Sequence, residues 1–180
     1  MKKIFLLLSI VFAFSGCEKD DICDANTPTT PRLVIECYDN NNGTPTLKNV
    51  TKLKVVATDA DSLPIVFNAN IPATEPSRYE FTGSKFYLPL KTDVTTTQYQ
   101  LTLNSGVAGS ENTDILTINY EHHEVYVSRA CGFKTLFDLD PTSPIVKTEP
   151  TISDGAWIQS ITVLKYNLES ENEVHVQIRF

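Results

Sequence analysis

The residues of this chain best able to do chemistry are its four cysteines and three histidines. No histidine stands in the H-E-x-x-H pattern of zinc proteases, and no serine stands in the G-x-S-x-G turn that exposes a nucleophile. No glycine-rich phosphate loop occurs either. The motifs therefore favour no catalytic set and no cofactor, although two carboxylates can come together in a fold without leaving a signature in the sequence.

Two adjacent histidines, His122 and His123, lie between Glu121 and Glu124. A zinc site needs three or four ligands that converge on one point. Neighbouring side chains of a strand point to opposite faces, so four consecutive residues do not converge on one ion. We therefore predict the tip of a β-hairpin here and no metal site. His175 alternates with valines in a terminal strand, and we predict that it faces solvent.

Cys17 follows a short basic segment and an apolar run from Ile4 to Phe14. This layout is typical of a secretory signal peptide, and the run is well short of the ~20 residues that cross a bilayer as a helix. Residues 14–17, Phe-Ser-Gly-Cys, resemble the lipobox of bacterial lipoproteins. The resemblance implies cleavage after residue 16 and acyl chains on Cys17, and two or more chains hold a protein stably on a membrane.

The charges just after Cys17 bear on where the protein is carried. Lys19-Asp20-Asp21 is similar to the export signal of surface lipoproteins of Bacteroidota, although these charges also suit a solvated tether. The resemblance implies an outer-membrane location, with the cell surface favoured over the periplasmic face. Removal of Lys2 and Lys3 would take the net charge from −7 to −9, so acyl chains rather than charge would hold the protein on anionic lipid.

The other three cysteines allow one disulfide and one free thiol in an oxidising compartment. Cys37 shares a strand face with Leu33 and Ile35, which predicts a small core residue. Cys23 precedes the first strand and Cys131 stands at a strand break, so we predict a Cys23–Cys131 bond. Such a bond closes a loop of roughly a hundred residues, which the chain-entropy account values at ~4 to 5 kcal/mol.

Two further residues are candidates for ligand contact. Arg129 lies beside Cys131 in a stretch that predicts either a bend able to bind a ligand or a plain strand end where Gly132 permits a bulge. Trp157, the only tryptophan, reads as a core residue, but an exposed tryptophan at a loop edge can stack on a sugar. The strand end and the core position are the favoured interpretations.

Short segments with period-two alternation must position these residues. Turn clusters rich in Asn, Asp, Gly and Pro separate them, and no stretch keeps a helical period over three turns. Eight or nine such strands predict an all-β fold, an antiparallel β-sandwich of Ig-like or jelly-roll type, with a closed β-barrel as the alternative. The segments are Leu33–Tyr38, Val50–Thr58, Lys85–Leu90, Gln98–Asn104, Asp114–Glu121, Glu124–Ala130, Phe133–Asp138, Ile158–Tyr166 and Val174–Phe180.

The chain divides into a signal peptide at 1–16, a lipidated tether at 17–31 and a single β domain at 32–180. Its 180 residues suit one domain. A net charge of −7 without a basic stripe argues against nucleic acid as a partner. The expected partners are the membrane, through acyl chains on Cys17, and an envelope protein or glycan.

Four stretches together resemble an uncharacterised lipoprotein family of Bacteroidota: CEKDDIC, TPTTPRLVIECYDNNN, VYVSRACGFKTLF and VHVQIRF. The resemblance implies an exported, lipid-anchored domain and brings no activity. We therefore predict a non-enzymatic binding, structural or accessory module at the outer membrane. A small envelope hydrolase or carbohydrate-active enzyme is the alternative, and a metal-binding lipoprotein is a third possibility.

Overall fold

A computed structural model describes residues 22–25, 27, 29–41, 43–58, 62–151 and 154–180. The predictions of a signal peptide and of acyl chains on Cys17 fall outside these residues. The regular structure of the described chain consists of strands, as the alternation predicted, apart from a 3-10 helix at Pro76–Tyr79. The strands are β1 Leu33–Tyr38, β2 Val50–Ala57, β3 Glu80–Gly83, β4 Lys85–Leu88, β5 Thr96–Leu103, β6 Asn112–Ser128, β7 Gly132–Leu139, β8 Ile145–Thr148, β9 Ser160–Val163, β10 Asn167–Leu168 and β11 Val176–Arg179.

The strands form two open sheets, so the prediction of a sandwich is confirmed and the barrel alternative is wrong for the described chain. The smaller sheet has the order β4-β1-β11-β9. The larger has the order β10-β7-β6-β5-β2-β3, with β8 paired to β6. The sandwich is not purely antiparallel, because β1 and β11 run parallel with Ile35 opposite Val176. Sequence separation hides this pairing, since the two strands come from opposite ends of the domain.

The core lies between the sheets and is filled by alternate residues of their facing strands. Leu33, Ile35 and Cys37 of β1 are fully buried in it, as their shared face predicted. Cys37 keeps a free thiol, and burial raises its pKa to about 12. A thiol that stays protonated and inaccessible is inert, so Cys37 packs as a small apolar side chain.

One strand turns a corner between the two sheets. β3 belongs to the larger sheet and β4 to the smaller, and only Ser84 separates them. The Phe81 ring folds back over Gly83, where an added Cβ would stand 2.6 Å from the ring. Glycine therefore lets an aromatic ring lie directly on the bent backbone, a use typical of strands that switch sheets.

β6 is a single strand of 17 residues, which at ~3.3 Å per residue is roughly 55 Å long. The predicted hairpin at His122-His123 is therefore wrong, because both histidines lie within this strand and pair with β7. The chain reverses instead at residues 129–131, before Gly132 with φ +70°. In the first part of β6, Asn112–Asn119 pairs with β5, and Ile115–Ile118 also pairs with β8 on the other edge. Among the described strands, β7 alone pairs with residues 121–128.

His175 is fully buried, so the prediction that it faces solvent is wrong. Its backbone N–H donates to the Val34 carbonyl, and its Nδ1 accepts the Val34 N–H at 2.9 Å. Burial lowers the pKa of His175, while the Ser170 carbonyl and nearby acids oppose this shift. The neutral imidazole thus replaces a backbone acceptor where the parallel pairing of β1 and β11 begins.

The described residues include no helix with the length and apolar character of a membrane span.

Candidate functional site

The outer part of β6 and the neighbouring strand β7 form a ribbon, residues 121–128 with 132–138, which has only two strands beyond the short pairing of β10 with Phe137 and Asp138. Such a ribbon is marginally stable in water without further support. The predicted Cys23–Cys131 disulfide is present and joins its end to the segment before β1, with the two Cα atoms 4.9 Å apart. The Thr135 N–H also donates to Thr30 Oγ1 at 3.0 Å. The N-terminal segment is therefore a third layer that holds the ribbon in place.

The turn at the end of the ribbon, at residues 129–131, has the features of the predicted strand end with a bulge. The Ser128 hydroxyl accepts the Cys131 N–H at 3.1 Å, and the pairing register shifts between Tyr126 and Ser128. Gly132 takes the positive φ that other residues disfavour. Arg129 lies exposed at this turn, and its contact with a ligand stays a prediction.

A cavity of about 460 Å³ opens beside the disulfide. Its wall combines apolar and charged side chains, among them Ile22, Asp24, Tyr126 and Arg129. The Tyr126 ring meets the Phe133 ring edge-on, with centroids 5.4 Å apart. Both rings are more than half exposed, at 59% and 63%. We call residues 126–133 together with Ile22 the ribbon tip.

Trp157, the other candidate for ligand contact, is buried. It is only 6% exposed, its Nε1–H donates to the Leu101 carbonyl at 3.1 Å, and its ring meets Phe180 edge-on. A satisfied, buried indole is a core residue and offers no face to a sugar. The favoured interpretation of Trp157 as core therefore agrees with its position.

A second cavity, of about 370 Å³, lies beside the corner between β3 and β4. Phe67, Phe81 and Tyr87 are among its lining residues, and the Phe67 and Phe81 rings are 5.4 Å apart. Arg32 stands at its edge, 4.7 Å above the Tyr87 ring. We call this cavity the aromatic cleft; its composition suits an apolar or sugar-like ligand better than it suits catalysis.

Arg32 is held in place by Glu171. Two charge-assisted hydrogen bonds of 2.7 and 2.6 Å join the guanidinium to the carboxylate. The backbone N–H of Arg32 also donates to the same carboxylate, at 2.9 Å. These bonds lower the pKa of Glu171 and raise that of Arg32. A paired arginine of this kind positions the cleft edge and is a poor proton donor.

A third cavity, of about 330 Å³, collects three carboxylates: Glu121, Asp138 and Asp140. Two of them have structural partners. Asp138 lies 3.3 Å from His123 Nδ1 and accepts from Asn167, and Asp140 accepts the N–H groups of Thr142 and Ser143. Among the described residues, no group of three His, Cys, Asp or Glu is placed to hold a metal ion.

A buried carboxyl group with a second, partly buried carboxyl group beside it lies near the start of β6. Asp114 is fully buried, and one of its oxygens accepts the Ile158 N–H at 2.7 Å. Burial raises the pKa of Asp114 to about 6; a hydrogen bond with the Glu149 carboxyl adds to the rise, and Lys147 opposes it. Asp114 therefore has a backbone partner on one side and a second carboxyl group on the other, which is a structural use of a buried acid. Sequence reasoning missed it because the two residues are distant in the chain and have no motif.

A family model described as a family of unknown function, DUF6452, matches residues 52–180. No curated protein and no solved structure matches the chain. The arrangement of the sites must therefore be interpreted from the chain itself.

Proposed function

Because the chain belongs to the DUF6452 family of unknown function, we propose its role from its own residues. It is an envelope lipoprotein, anchored to the outer membrane by acyl chains on Cys17. Its β domain is a non-enzymatic binding or accessory module. The cell surface is favoured over the periplasmic face because Lys19-Asp20-Asp21 is similar to an export signal of surface lipoproteins.

The observation that carries the proposal is the Cys23–Cys131 disulfide. Disulfides of this kind persist in oxidising compartments, which fits a chain that begins with a secretory signal layout. The lipobox-like Cys17 stands only six positions before Cys23. Acylation and disulfide bonding would thus act on one short segment and fix the domain close to the membrane.

A binding role suits the cavities better than catalysis does. The aromatic cleft offers ring faces, and the positive charge at its edge is neutralised by Glu171. The most perturbed carboxyl, Asp114, is fully buried and so cannot reach a substrate. A ligand with an apolar or sugar-ring face is the class that the cleft would bind.

The alternative role, a small envelope hydrolase or carbohydrate-active enzyme, has one feature in its favour. The cavity with Glu121, Asp138 and Asp140 gathers carboxylates at the surface. Hydrolysis of an envelope glycan that is abolished by Glu121→Gln but retained in Glu111→Gln, an acid outside this cavity, would favour the enzyme and count against the binding module.

Membrane fractionation tests the anchor. Wild-type protein made in a bacterial host should sediment with outer membranes and gain the mass of the acyl chains, because several chains give stable anchoring. Cys17→Ala should remain unacylated and soluble. Cys37→Ala is the matched control, since it removes a cysteine from the core and should leave the fractionation unchanged.

Two results would refute the proposal: wild-type protein that keeps Met1, or Cys17→Ala protein that stays on the membrane. Protease added to intact cells then separates the two faces. Digestion of the β domain without lysis supports the cell surface, and protection until lysis supports the periplasmic face.

A further inference from the structure

We propose that the ribbon tip inserts its exposed apolar side chains into the bilayer surface that holds the protein. The contact would involve Ile22, Tyr126 and Phe133. This inference rests on the proposed acylation of Cys17 and adds a second, protein-made contact to it. It assigns to the tip a lipid surface as its partner.

The most exposed of the large apolar side chains in the described residues are concentrated at this tip. Five large hydrophobic side chains are more than half exposed, and three of them surround the disulfide: Ile22 at 80%, Tyr126 at 59% and Phe133 at 63%. The other two, Leu47 and Leu63, lie in separate loops. A soluble surface seldom gathers exposed side chains of this size without a partner.

The length of the tether limits how far the ribbon tip can lie from the lipid that holds an acylated Cys17. Six peptide steps separate Cys17 from Cys23, a span of at most ~20 Å. The disulfide places the Cα atom of Cys131 4.9 Å from that of Cys23. An acylated Cys17 would thus keep the turn within roughly 25 Å of the lipid. The tip is the end of the ribbon, beyond the last pairing of β7 with β10 at Phe137 and Asp138.

The residue types at the tip suit the boundary between lipid and water. Tyrosine is enriched there, because its ring is apolar and its hydroxyl can stay wet. Arg129 lies in the turn between the two ring-bearing strands, and its aliphatic stem can lie along acyl chains while its charge reaches phosphates. Asp24 and Glu124 stand nearby and offset this charge, so the contact is apolar rather than electrostatic.

Fluorescence quenching by lipid tests the contact. Full-length acylated protein carrying Tyr126→Trp is reconstituted in vesicles of phosphatidylethanolamine and phosphatidylglycerol, with and without lipids brominated near the top of their acyl chains. Tyr166→Trp is the matched control: Tyr166 is also exposed, at 42%, but its carbonyl accepts from Leu139, ~20 Å along β7 from the tip. Trp157 is buried and gives the same background in both proteins.

We expect brominated lipid to quench the tryptophan at 126 and to leave the tryptophan at 166 unchanged. Quenching at 126 should be lost when Cys23→Ala and Cys131→Ala are added, because the ribbon is then no longer held at the tether. Bromine on the acyl chains distinguishes contact from mere proximity, since a tip that stays in water does not meet it.

Each failure has a separate meaning. Protein that floats with the vesicles while position 126 is not quenched overturns the tip contact and leaves the anchor intact. Protein that carries no lipid and does not float overturns both. A blue shift at 126 that depends on protein concentration but not on vesicles would assign the tip to a second copy of the chain and would also overturn the proposal.

Discussion

The two parts of β6 obey the same alternation but are stabilised in different ways. In Asn112–Tyr120, the inward residues Leu116, Ile118 and Tyr120 are at most 2% exposed, and β5 and β8 pair with the two edges of the segment Ile115–Ile118. On the same face of the ribbon, Tyr126 is 59% exposed, and β7 is the only strand that pairs with residues 121–128. Packing stabilises the inner part; a covalent bond and a few polar contacts hold the outer part.

The difference teaches that an alternating pattern predicts a strand without predicting what covers it. The smaller sheet covers the inner part of β6, so its apolar side chains form core. The outer part extends beyond that sheet, so its apolar side chains are available for binding. The two residues first considered as ligand contacts divide accordingly, with Trp157 in the core and Arg129 at the ribbon tip.

The largest expected difference in stability is between alanine substitutions of these two residues. Trp157→Ala should lower the free energy of unfolding by about 3 to 5 kcal/mol, because it leaves a cavity and an unmade bond to Leu101. Arg129→Ala should change it by less than about 0.5 kcal/mol, as for other exposed sites. Urea unfolding followed by circular dichroism measures both. Equal losses for the two variants would contradict the division between core and tip.

Removal of the Cys23–Cys131 disulfide is expected to have the second-largest effect on stability. Replacing both Cys23 and Cys131 by alanine should cost about 2 to 4 kcal/mol, because the bond restrains a loop between cysteines 108 positions apart. Hydrogen exchange should then rise most at 121–136 and least at 115–118, where strands pair on both sides. A uniform rise along β6 would show that the ribbon does not depend on the bond more than the core does.

The smallest effect concerns the buried acid at the inner end of β6. The pKa of Asp114 is raised to about 6, so the unfolded chain loses this proton first as pH rises, and the native state is progressively penalised between about pH 4 and 6. Asp114→Asn should remove the penalty. Its stability relative to wild type should be near zero below pH 4 and reach a gain of about 1 to 3 kcal/mol above pH 6.

The difference between the two pH profiles isolates Asp114 and its neighbour Glu149 from the remaining titrating groups, His175 included. Asp114→Ala is the control, because it leaves the Ile158 N–H without its acceptor and should destabilise at every pH. A flat difference between the wild-type and asparagine profiles would show that Asp114 carries no shifted proton.

Much of the local structure could be predicted from the sequence, and the errors have a common cause. The strands from Leu33 and Val50 were predicted within a residue of their observed ends, and the disulfide followed from the places of three cysteines. A turn was wrongly predicted within β6 because the apolar residues change from even to odd positions around the polar segment Glu121–Glu124. This change resembles the end of a hairpin. The true reversal is before Gly132.

The sequence by itself determined the period of the strands, the small core role of Cys37 and the pairing of Cys23 with Cys131. These follow from local geometry and from counting thiols. Only the tertiary structure decided that β1 and β11 run parallel, that His175 is buried against Val34 and that Asp114 meets Glu149. Period-two alternation gives each side chain one of two faces, but the environment of a face is set by the elements that pack on it, and these come from distant parts of the chain.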